Sequence, residues 1–104
     1  MENLKIIQKI YELVVYYQHL FIKFPKSYKY TLGDRINNSL IGFYLLILKV
    51  NRSKNKKTLE DNIDLKLDEI RLLVRMSREL NLISLKQYDV FSDKYVEVFN
   101  MIKK

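Results

Sequence analysis

The residues of this sequence best suited to chemistry are basic, and three of them are arginines at helical spacing. Arg71, Arg75 and Arg78 lie four and three positions apart, which places them on one face of an α-helix. Their guanidinium groups could form charge-assisted hydrogen bonds to phosphate oxygens. The same face could instead be solvated and hold ion pairs within the helix, such as Asp68 with Arg71 and Arg75 with Glu79. The spacing leaves both interpretations open.

A second group of cations lies in the segment FIKFPKSYKYTLGDR, residues 21 to 35. Lys23, Lys26 and Lys29 recur at every third position between aromatic residues, and Arg35 closes the segment. The pattern could contact nucleic acid, or it could only link two helices. We expect the lysines to face solvent or RNA.

A third basic segment is KVNRSKNKK, residues 49 to 57, which contains no acidic residue. Arg52, Lys56 and Lys57 are its candidates for phosphate contact, and each contact would steepen the salt dependence of binding. Runs of this kind are usually solvated loops, so this segment is the weaker candidate.

The sequence contains no recognisable catalytic constellation. His19 is the single histidine, cysteine is absent, and there is no glycine-rich phosphate loop. Asp61, Asp64 and Asp68 share one helical face and could in principle hold a hard cation or support acid-base catalysis. The helix dipole, however, favours acidic residues near the N-terminus of a helix and arginines near its C-terminus, which is the order found here. We expect a protein that is not an enzyme and that binds neither a metal nor a cofactor.

The composition favours a polyanionic partner. The formal charge is +7 and the pI is about 9.6, a balance typical of nucleic-acid-binding proteins. An A/T-rich coding sequence would give the same lysine content without such a function. The longest apolar run, residues 40 to 48, is far shorter than the roughly 18 residues of a membrane span. We expect a soluble protein with no membrane partner, and its lack of cysteine fits the reducing cytoplasm.

The elements that must position these residues are predicted to be helices, because only two glycines and one proline occur and strand-like alternation is absent. The sequence predicts a single domain of residues 1 to 104 with helices at 3 to 22, 31 to 52, 59 to 81 and 85 to 103. Pro25 ends the first helix, because it lacks a backbone donor and disfavours helical conformation in the preceding residue. Short links between helices of similar length predict an all-α, antiparallel up-down-up-down four-helix bundle.

Capping signals and apolar periodicity give the details of these helices. The predicted N-cap residues, each with a partner three positions on, are Thr31 with Asp34, Thr58 with Asp61, and Ser84 with Gln87, the last being a capping box. The predicted core positions of the third helix are Ile63, Leu67, Ile70, Val74 and Leu80.

The first two helices are too apolar for an isolated bundle. Residues 40 to 48 are apolar around the whole helix, and such a helix is normally buried on all sides. Four helices cannot enclose one of their own members, so the surplus face is predicted to contact another subunit of a homo-oligomer. The predicted interface residues are Leu13, Tyr16, Ile41, Tyr44, Leu45 and Leu48.

The aromatic residues of the segment 21 to 35 are predicted to have a structural role. We expect Phe24 and Tyr28 or Tyr30 to pack over the end of the bundle. They do not form the usual stacking platform of a single-strand binder, because such platforms lie on a sheet or in an open groove.

Two stretches, FPKSYKYTLGDRI and LDEIRLLVRMSRELNLISLKQYDVFSDKYVEV, carry a family resemblance. Over roughly residues 20 to 99 the sequence resembles the accessory variability determinant (Avd) of diversity-generating retroelements. This resemblance implies a basic, homopentameric barrel that binds the element's reverse transcriptase and its RNA, or an RNA/DNA hybrid, and supports mutagenic cDNA synthesis without being an enzyme. By matching position it implies the following nucleic-acid-binding residues: Lys26, Arg35, Arg71, Arg75 and Arg78.

Proteins encoded within 23S rRNA intervening sequences are similar as well. Their second helix usually carries Asn-Ile-Ala-Glu-Gly, whereas this sequence has NNSLIGFYLLILKV there, so the resemblance to Avd comes first. The alternative function is a structural or protein-interaction bundle of the intervening-sequence type, with no retroelement role.

Overall fold

A computed structural model of the protein describes residues 3–52 and 56–103, and for residues 3, 51–52 and 56–59 it describes the backbone only. Within these ranges the chain is helical and has no strand. The four long helices are α1 (Asn3–Phe21), α2 (Asp34–Arg52), α3 (Lys56–Glu79) and α4 (Leu85–Lys103). A short α-helical turn (Lys26–Tyr28) and a π-helical turn (Lys29–Gly33) lead directly into α2. The predicted all-α fold class is confirmed.

Consecutive helices run in opposite directions. Tyr17, near the end of α1, hydrogen-bonds Gly33, just before α2, whereas Tyr11 lies earlier in α1 and packs on Tyr44 further along α2. The same reversal appears in the α1–α4 contacts Tyr16–Gln87 and Lys9–Glu97 and in the α3–α4 contacts Leu67–Tyr95 and Asp64–Lys103. Because α1 packs on α2 and α4, and α3 on α2 and α4, the arrangement is the predicted up-down-up-down four-helix bundle.

The core lies between the four helices and is built from aliphatic and aromatic side chains. The predicted core residues Ile63, Leu67, Ile70 and Val74 of α3 are buried. The prediction for Leu80 is wrong, since its side chain is exposed and Ser77 takes the last buried position of that helix. The reason is the helical phase: the buried positions of α3 advance by four, three, four and three residues to Ser77, so the next would be position 81, and Leu80 lies beside this face.

The chain leaves α3 through a Schellman motif. Asn81 adopts the left-handed conformation with φ 61°, which asparagine tolerates better than most residues. Its amide donates to Arg78 O at 3.0 Å, and the amide of Leu82 donates to Ser77 O at 2.9 Å. The helix therefore ends two residues before the predicted boundary at residue 81.

Of the three predicted N-caps, only Ser84 is confirmed. The Ser84 amide donates to Gln87 Oε1 at 2.8 Å, and the Gln87 amide donates to Ser84 Oγ at 3.0 Å. The Thr58 prediction is wrong, because α3 begins at Lys56, which places Thr58 inside the helix. The Thr31 prediction is also wrong, because the chain is already helical from Lys26 onward.

The π-helical turn replaces the predicted cap at Thr31. A π turn holds an extra residue, so its backbone carbonyls need other donors. The Thr31 hydroxyl donates to Ser27 O and Tyr28 O, both at 3.3 Å. The buried hydroxyl of Tyr17 donates to Gly33 O at 2.7 Å. Side-chain hydrogen bonds therefore hold this turn both on its solvent side, through Thr31, and on its core side, through Tyr17.

Gly33 is required at the end of this turn for steric reasons. A Cβ atom there would lie 2.9 Å from the Phe24 ring and 3.1 Å from the Phe21 ring. The close approach lets Phe24 bury its ring at the end of the bundle. Tyr28 is half-buried against the core, so the expected packing of Phe24 and Tyr28 over the bundle end is observed.

Candidate nucleic-acid interface

The strongest candidate surface is the lysine turn, which we define as residues 23 to 30, from the end of α1 into the first two residues of the π-helical turn. Lys23 and Lys26 are exposed, and Lys29 is half-exposed with its Nζ 5.7 Å from the centre of the Phe21 ring. None of these three lysines takes part in the ion pairs formed by the described residues. The lysine turn therefore presents positive charge that the surrounding structure does not neutralise.

Arg71 and Arg75 are both exposed on α3, and each faces an acid of the same helix. Arg71 Nη2 lies 3.8 Å from Asp68 Oδ1, and Arg75 Nε lies 3.9 Å from Glu79 Oε1, which confirms the two ion pairs considered from the sequence. Solvent-exposed pairs of this kind contribute only about 0–1 kcal/mol. A phosphate could displace these acids at little cost, so both arginines stay available.

Arg78 has a structural role at the end of α3. Its Nη1 donates to Asn81 Oδ1 at 3.2 Å and to Ile83 O at 3.5 Å. The guanidinium thus ties the left-handed residue of the Schellman motif to the start of the link into α4. Although Arg78 shares a helical face with Arg71 and Arg75, these hydrogen bonds make it less available to a phosphate.

Arg35 is also engaged within the bundle. Its Nη2 donates to Glu69 Oε1 at 3.1 Å, joining α2 to α3, and Lys66 Nζ donates to Glu69 Oε2 at 3.2 Å. Partial burial alone would raise the pKa of Glu69, but hydrogen bonds from Lys66, Ser39 and Arg35 and the charge of Lys66 outweigh it and hold that pKa below its ordinary value. Arg35 therefore belongs to a hydrogen-bond network that connects α2 to α3.

The remaining basic candidates lie outside the described side chains. Arg52 ends α2, and Lys56 and Lys57 begin α3, but the structure describes only their backbone. Their predicted contact with phosphate stays a prediction.

Of the three aspartates of α3 considered as cation ligands, Asp61 is exposed, and the other two pair with basic residues. Asp64 pairs with Lys103 of α4, and Asp68 pairs with Arg71. Across residues 3–52 and 56–103, no group of three or more His, Cys, Asp and Glu side chains is placed to hold a metal ion. His19 is exposed on α1.

The predicted oligomer interface does not form one continuous surface. Leu13 is only 1% exposed in the core of its own bundle, so it has no area left for a partner subunit and we remove it from the interface. The Tyr16 side chain of α1 faces α4. Its hydroxyl donates to Gln87 O at 3.4 Å, and Lys94 Nζ is 5.8 Å from its ring centre. The residues that remain on the outer side of α2 are Ile41, Tyr44, Leu45 and Leu48.

That outer face of α2 is an exposed apolar surface. Leu45 is 57% exposed and Ile41 is 40% exposed, whereas Tyr44 and Leu48 are half-buried. An exposed apolar patch on a helix is typical of a protein contact site. The surplus apolar face predicted for α2 is therefore present, although only on one side of the helix.

An open groove of about 660 Å³ continues this apolar surface between α2 and α3. Gly42 and Leu46 line it from α2, and Leu65 and Leu72 line it from α3. Because glycine has no side chain, Gly42 leaves space at the bottom of the groove. The nearest atom to an added Cβ would be Lys66 Cε at 3.9 Å. The groove could not be predicted from the sequence, because only helix packing determines which side chains lie on either side of Gly42.

In the described part of the chain, no helix is both long enough and apolar enough to cross a lipid bilayer.

The fold and the charge distribution define a small, basic four-helix-bundle protein. A sequence model of the bAvd-like family matches residues 4–103, almost the whole chain, and the protein belongs to this family. The match confirms the resemblance found in the sequence. Membership indicates an accessory protein associated with retroelement components in general, in a family not known as catalytic. A comparison with curated proteins gave no match.

Proposed function

We propose that this protein is a non-catalytic accessory factor of a diversity-generating retroelement. It binds RNA or an RNA/DNA hybrid together with the reverse transcriptase, and supports mutagenic cDNA synthesis. Membership of the bAvd-like family supports the retroelement part of this proposal. A cysteine-free chain fits a cytoplasmic site of action.

The observation that carries the nucleic-acid part is the lysine turn. Lys23, Lys26 and Lys29 occupy one exposed connection, and no acid of the described residues pairs with them. Cations that are already paired must give up a partner before they meet a phosphate, whereas Lys23 and Lys26 need only release solvent and counterions, and Lys29 in addition leaves the Phe21 ring. Arg71 and Arg75 add two weakly paired cations, while Arg35 and Arg78 stabilise the bundle.

The first test measures RNA affinity over a range of salt concentrations. Replacing Lys23, Lys26 and Lys29 together by alanine should weaken binding and lower the slope of log K against log salt by about 2, since each single-strand phosphate contact contributes about 0.7. The matched control replaces three lysines that form ion pairs in the structure, namely Lys9, Lys66 and Lys103. Both variants lose the same charge, so equal effects would refute a specific role for the lysine turn.

The two more exposed arginines of α3, Arg71 and Arg75, allow a second test. Replacing both by alanine should weaken RNA binding and leave the fold intact, because both side chains are exposed and their ion pairs are long. Tyr95, which lies beside Arg71, keeps its hydrogen bond to Leu67 O. Arg78 should be kept in this variant, since its loss would loosen the end of α3. Unchanged affinity would remove α3 from the binding surface.

We further propose that the outer face of α2 joins subunits into a homo-oligomer, a pentameric barrel by the family resemblance. Leu45→Glu would place a charge on this apolar face and should shift the particle to lower mass in light scattering. Val96→Glu is the matched control, since Val96 is also exposed but lies on α4. A wild-type protein that is monomeric at micromolar concentration would contradict this part.

A reverse transcriptase encoded by the same retroelement should co-purify with this protein, and the groove at Gly42 offers a surface for a protein contact. A stable oligomer that binds no RNA at low salt would instead favour the alternative function, a protein-interaction bundle of the intervening-sequence type. Inspection of the neighbouring genes separates the two, because a retroelement places a reverse transcriptase and a pair of repeats close by.

A further inference from the structure

We propose that Tyr30 stacks on an unpaired base of a single-stranded nucleic acid while Lys26 holds the adjoining phosphate. This inference rests on the proposed nucleic-acid function and deepens it, because it names the part of the ligand that the lysine turn contacts. It also revises the sequence-based expectation that no aromatic residue of this segment stacks on bases.

The first observation is the exposure of the Tyr30 ring. Its side chain is 69% exposed, whereas Phe24 of the same segment is buried and Phe21 and Tyr28 are half-buried. Within the described residues the Tyr30 hydroxyl forms no hydrogen bond, and the Tyr30 ring packs on no other aromatic ring. Single exposed apolar residues are common, so the exposure has to be read together with the backbone and the charges around it.

The second observation is that the backbone beneath this ring is fixed. Tyr30 lies within the π-helical turn, which the Thr31 hydroxyl holds on one side and the buried Tyr17 hydroxyl holds at Gly33. A tyrosine side chain has only two torsions, so a ring on a fixed backbone loses little conformational entropy when it stacks. Such π turns inside helices frequently occur at functional sites.

The third observation is the arrangement of charge around Tyr30. Lys26 lies four residues, about one helical turn, before Tyr30 in the same continuous helical segment, and both residues are exposed. Lys29 lies over the Phe21 ring instead. One cation beside one free aromatic face matches one nucleotide, whose phosphate is charged and whose base has a flat face.

The chemistry selects single strands over duplexes. Bases in a duplex are already stacked on their neighbours, whereas unpaired bases can stack on an aromatic side chain with little dependence on their identity. Tyr30 should therefore contribute affinity for single-stranded RNA and none for a perfect duplex.

The affinity test uses a fluorescent, unstructured RNA oligonucleotide and the duplex of the same sequence. Tyr30→Leu, which keeps an apolar side chain but has no aromatic face, should weaken single-strand binding about fivefold or more. Its salt slope should equal that of the wild type, because no charge is lost. Tyr30→Phe should retain wild-type affinity, and Lys26→Ala should lower the salt slope by about 0.7.

A spectroscopic test reports the contact directly. The chain contains no tryptophan, so Tyr30→Trp introduces a single indole whose emission should be quenched by the single-stranded oligonucleotide and not by the duplex. Tyr11→Trp is the matched control, since Tyr11 is exposed on α1 outside the lysine turn, and its emission should not change.

The outcomes separate this inference from the proposed function. RNA binding with unchanged Tyr30→Leu affinity and unquenched Tyr30→Trp emission would overturn the stacking contact and leave the proposed function standing. Failure of the wild-type protein to bind any nucleic acid at low salt would overturn both. Each variant should keep the wild-type melting temperature, because the Tyr30 side chain is exposed.

Discussion

Replacing Tyr17 by phenylalanine removes one hydroxyl group from the centre of the bundle and tests the bond that holds the π-helical turn. Tyr17 is 1% exposed, and its Oη lies 2.7 Å from Gly33 O. Without this donor a buried carbonyl loses a partner, at a cost of about 1–3 kcal/mol. For a chain of 104 residues this cost corresponds to a melting temperature lower by about 5–14 °C.

The assay is thermal unfolding followed by far-UV circular dichroism. Wild type and variant must be compared at one protein concentration, because association makes the midpoint concentration-dependent. The matched control is Tyr88→Phe, since Tyr88 is half-buried and its hydroxyl forms no hydrogen bond within the described residues. Its stability should change by no more than about 0.5 kcal/mol.

A second property of Tyr17 gives an independent check at alkaline pH. Burial, together with the nearby Asp34 carboxylate, raises the pKa of Tyr17 above its ordinary value of 10.0. A group whose pKa is raised by folding contributes stability that is complete below the unfolded-state pKa and is lost as the pH rises toward the folded-state pKa. Above pH 10 the wild type should therefore lose stability faster than Tyr17→Phe. The reasoning would be refuted if wild type and Tyr17→Phe had equal melting temperatures at neutral pH and lost stability in parallel as the pH rises above 10.

Three further substitutions test other parts of the bundle. Glu69→Gln should flatten acid unfolding, because the lowered pKa of this carboxylate gives stability that the wild type loses as the pH falls below the ordinary value of 4.5; an unchanged acid unfolding curve would contradict this. Gly33→Ala should lower stability by about 1–3 kcal/mol in denaturant titration, because the added methyl would lie 2.9 Å from the Phe24 ring; equal or higher stability would show that the ring moves freely. Ser84→Ala should cost about 1 kcal/mol through loss of the capping box, and Ser84→Asn, which can also cap, should recover most of it.

Most of the fold could be predicted because its signals are local. The capping box at Ser84 involves residues only three positions apart, and both of its reciprocal hydrogen bonds form within that short segment. Apolar periodicity located the buried face of α3 correctly up to Val74. It failed at Leu80, because the buried position after Val74 is the polar residue Ser77, which an apolar pattern does not detect.

The region after Pro25 could not be predicted from local signals. Thr31 followed by Asp34 has the form of an N-cap, but the helix starts directly after Pro25 and absorbs Thr31 in a π-helical turn. What stabilises this outcome is the Tyr17 hydroxyl, which reaches Gly33 from another helix. A contact between two helices leaves no mark in either segment alone.

The candidate site was predicted in part. The sequence identified the cations and the apolar face of α2, but it could not show which partner each cation has in the bundle. Arg35 and Arg71 look alike in sequence, yet Arg35 donates to Glu69 of a neighbouring helix, whereas Arg71 forms a long pair with Asp68 of its own helix and lies beside Tyr95 of α4. The exposure of Tyr30 likewise depends on packing, since Tyr28 could have been the outward residue.

The π-helical turn also makes this segment unusual in how it should respond to a change in chain length. Deleting one residue from an ordinary helix rotates everything beyond the deletion by about 100°, which moves the core face of that helix into solvent. A π turn already contains one residue too many, so deleting Thr31 would leave an unbroken α-helix in which Ile36 and the rest of α2 keep their orientation. The extra residue is therefore dispensable for the core of the bundle, and what it changes is the outer surface, on which Tyr30 stands.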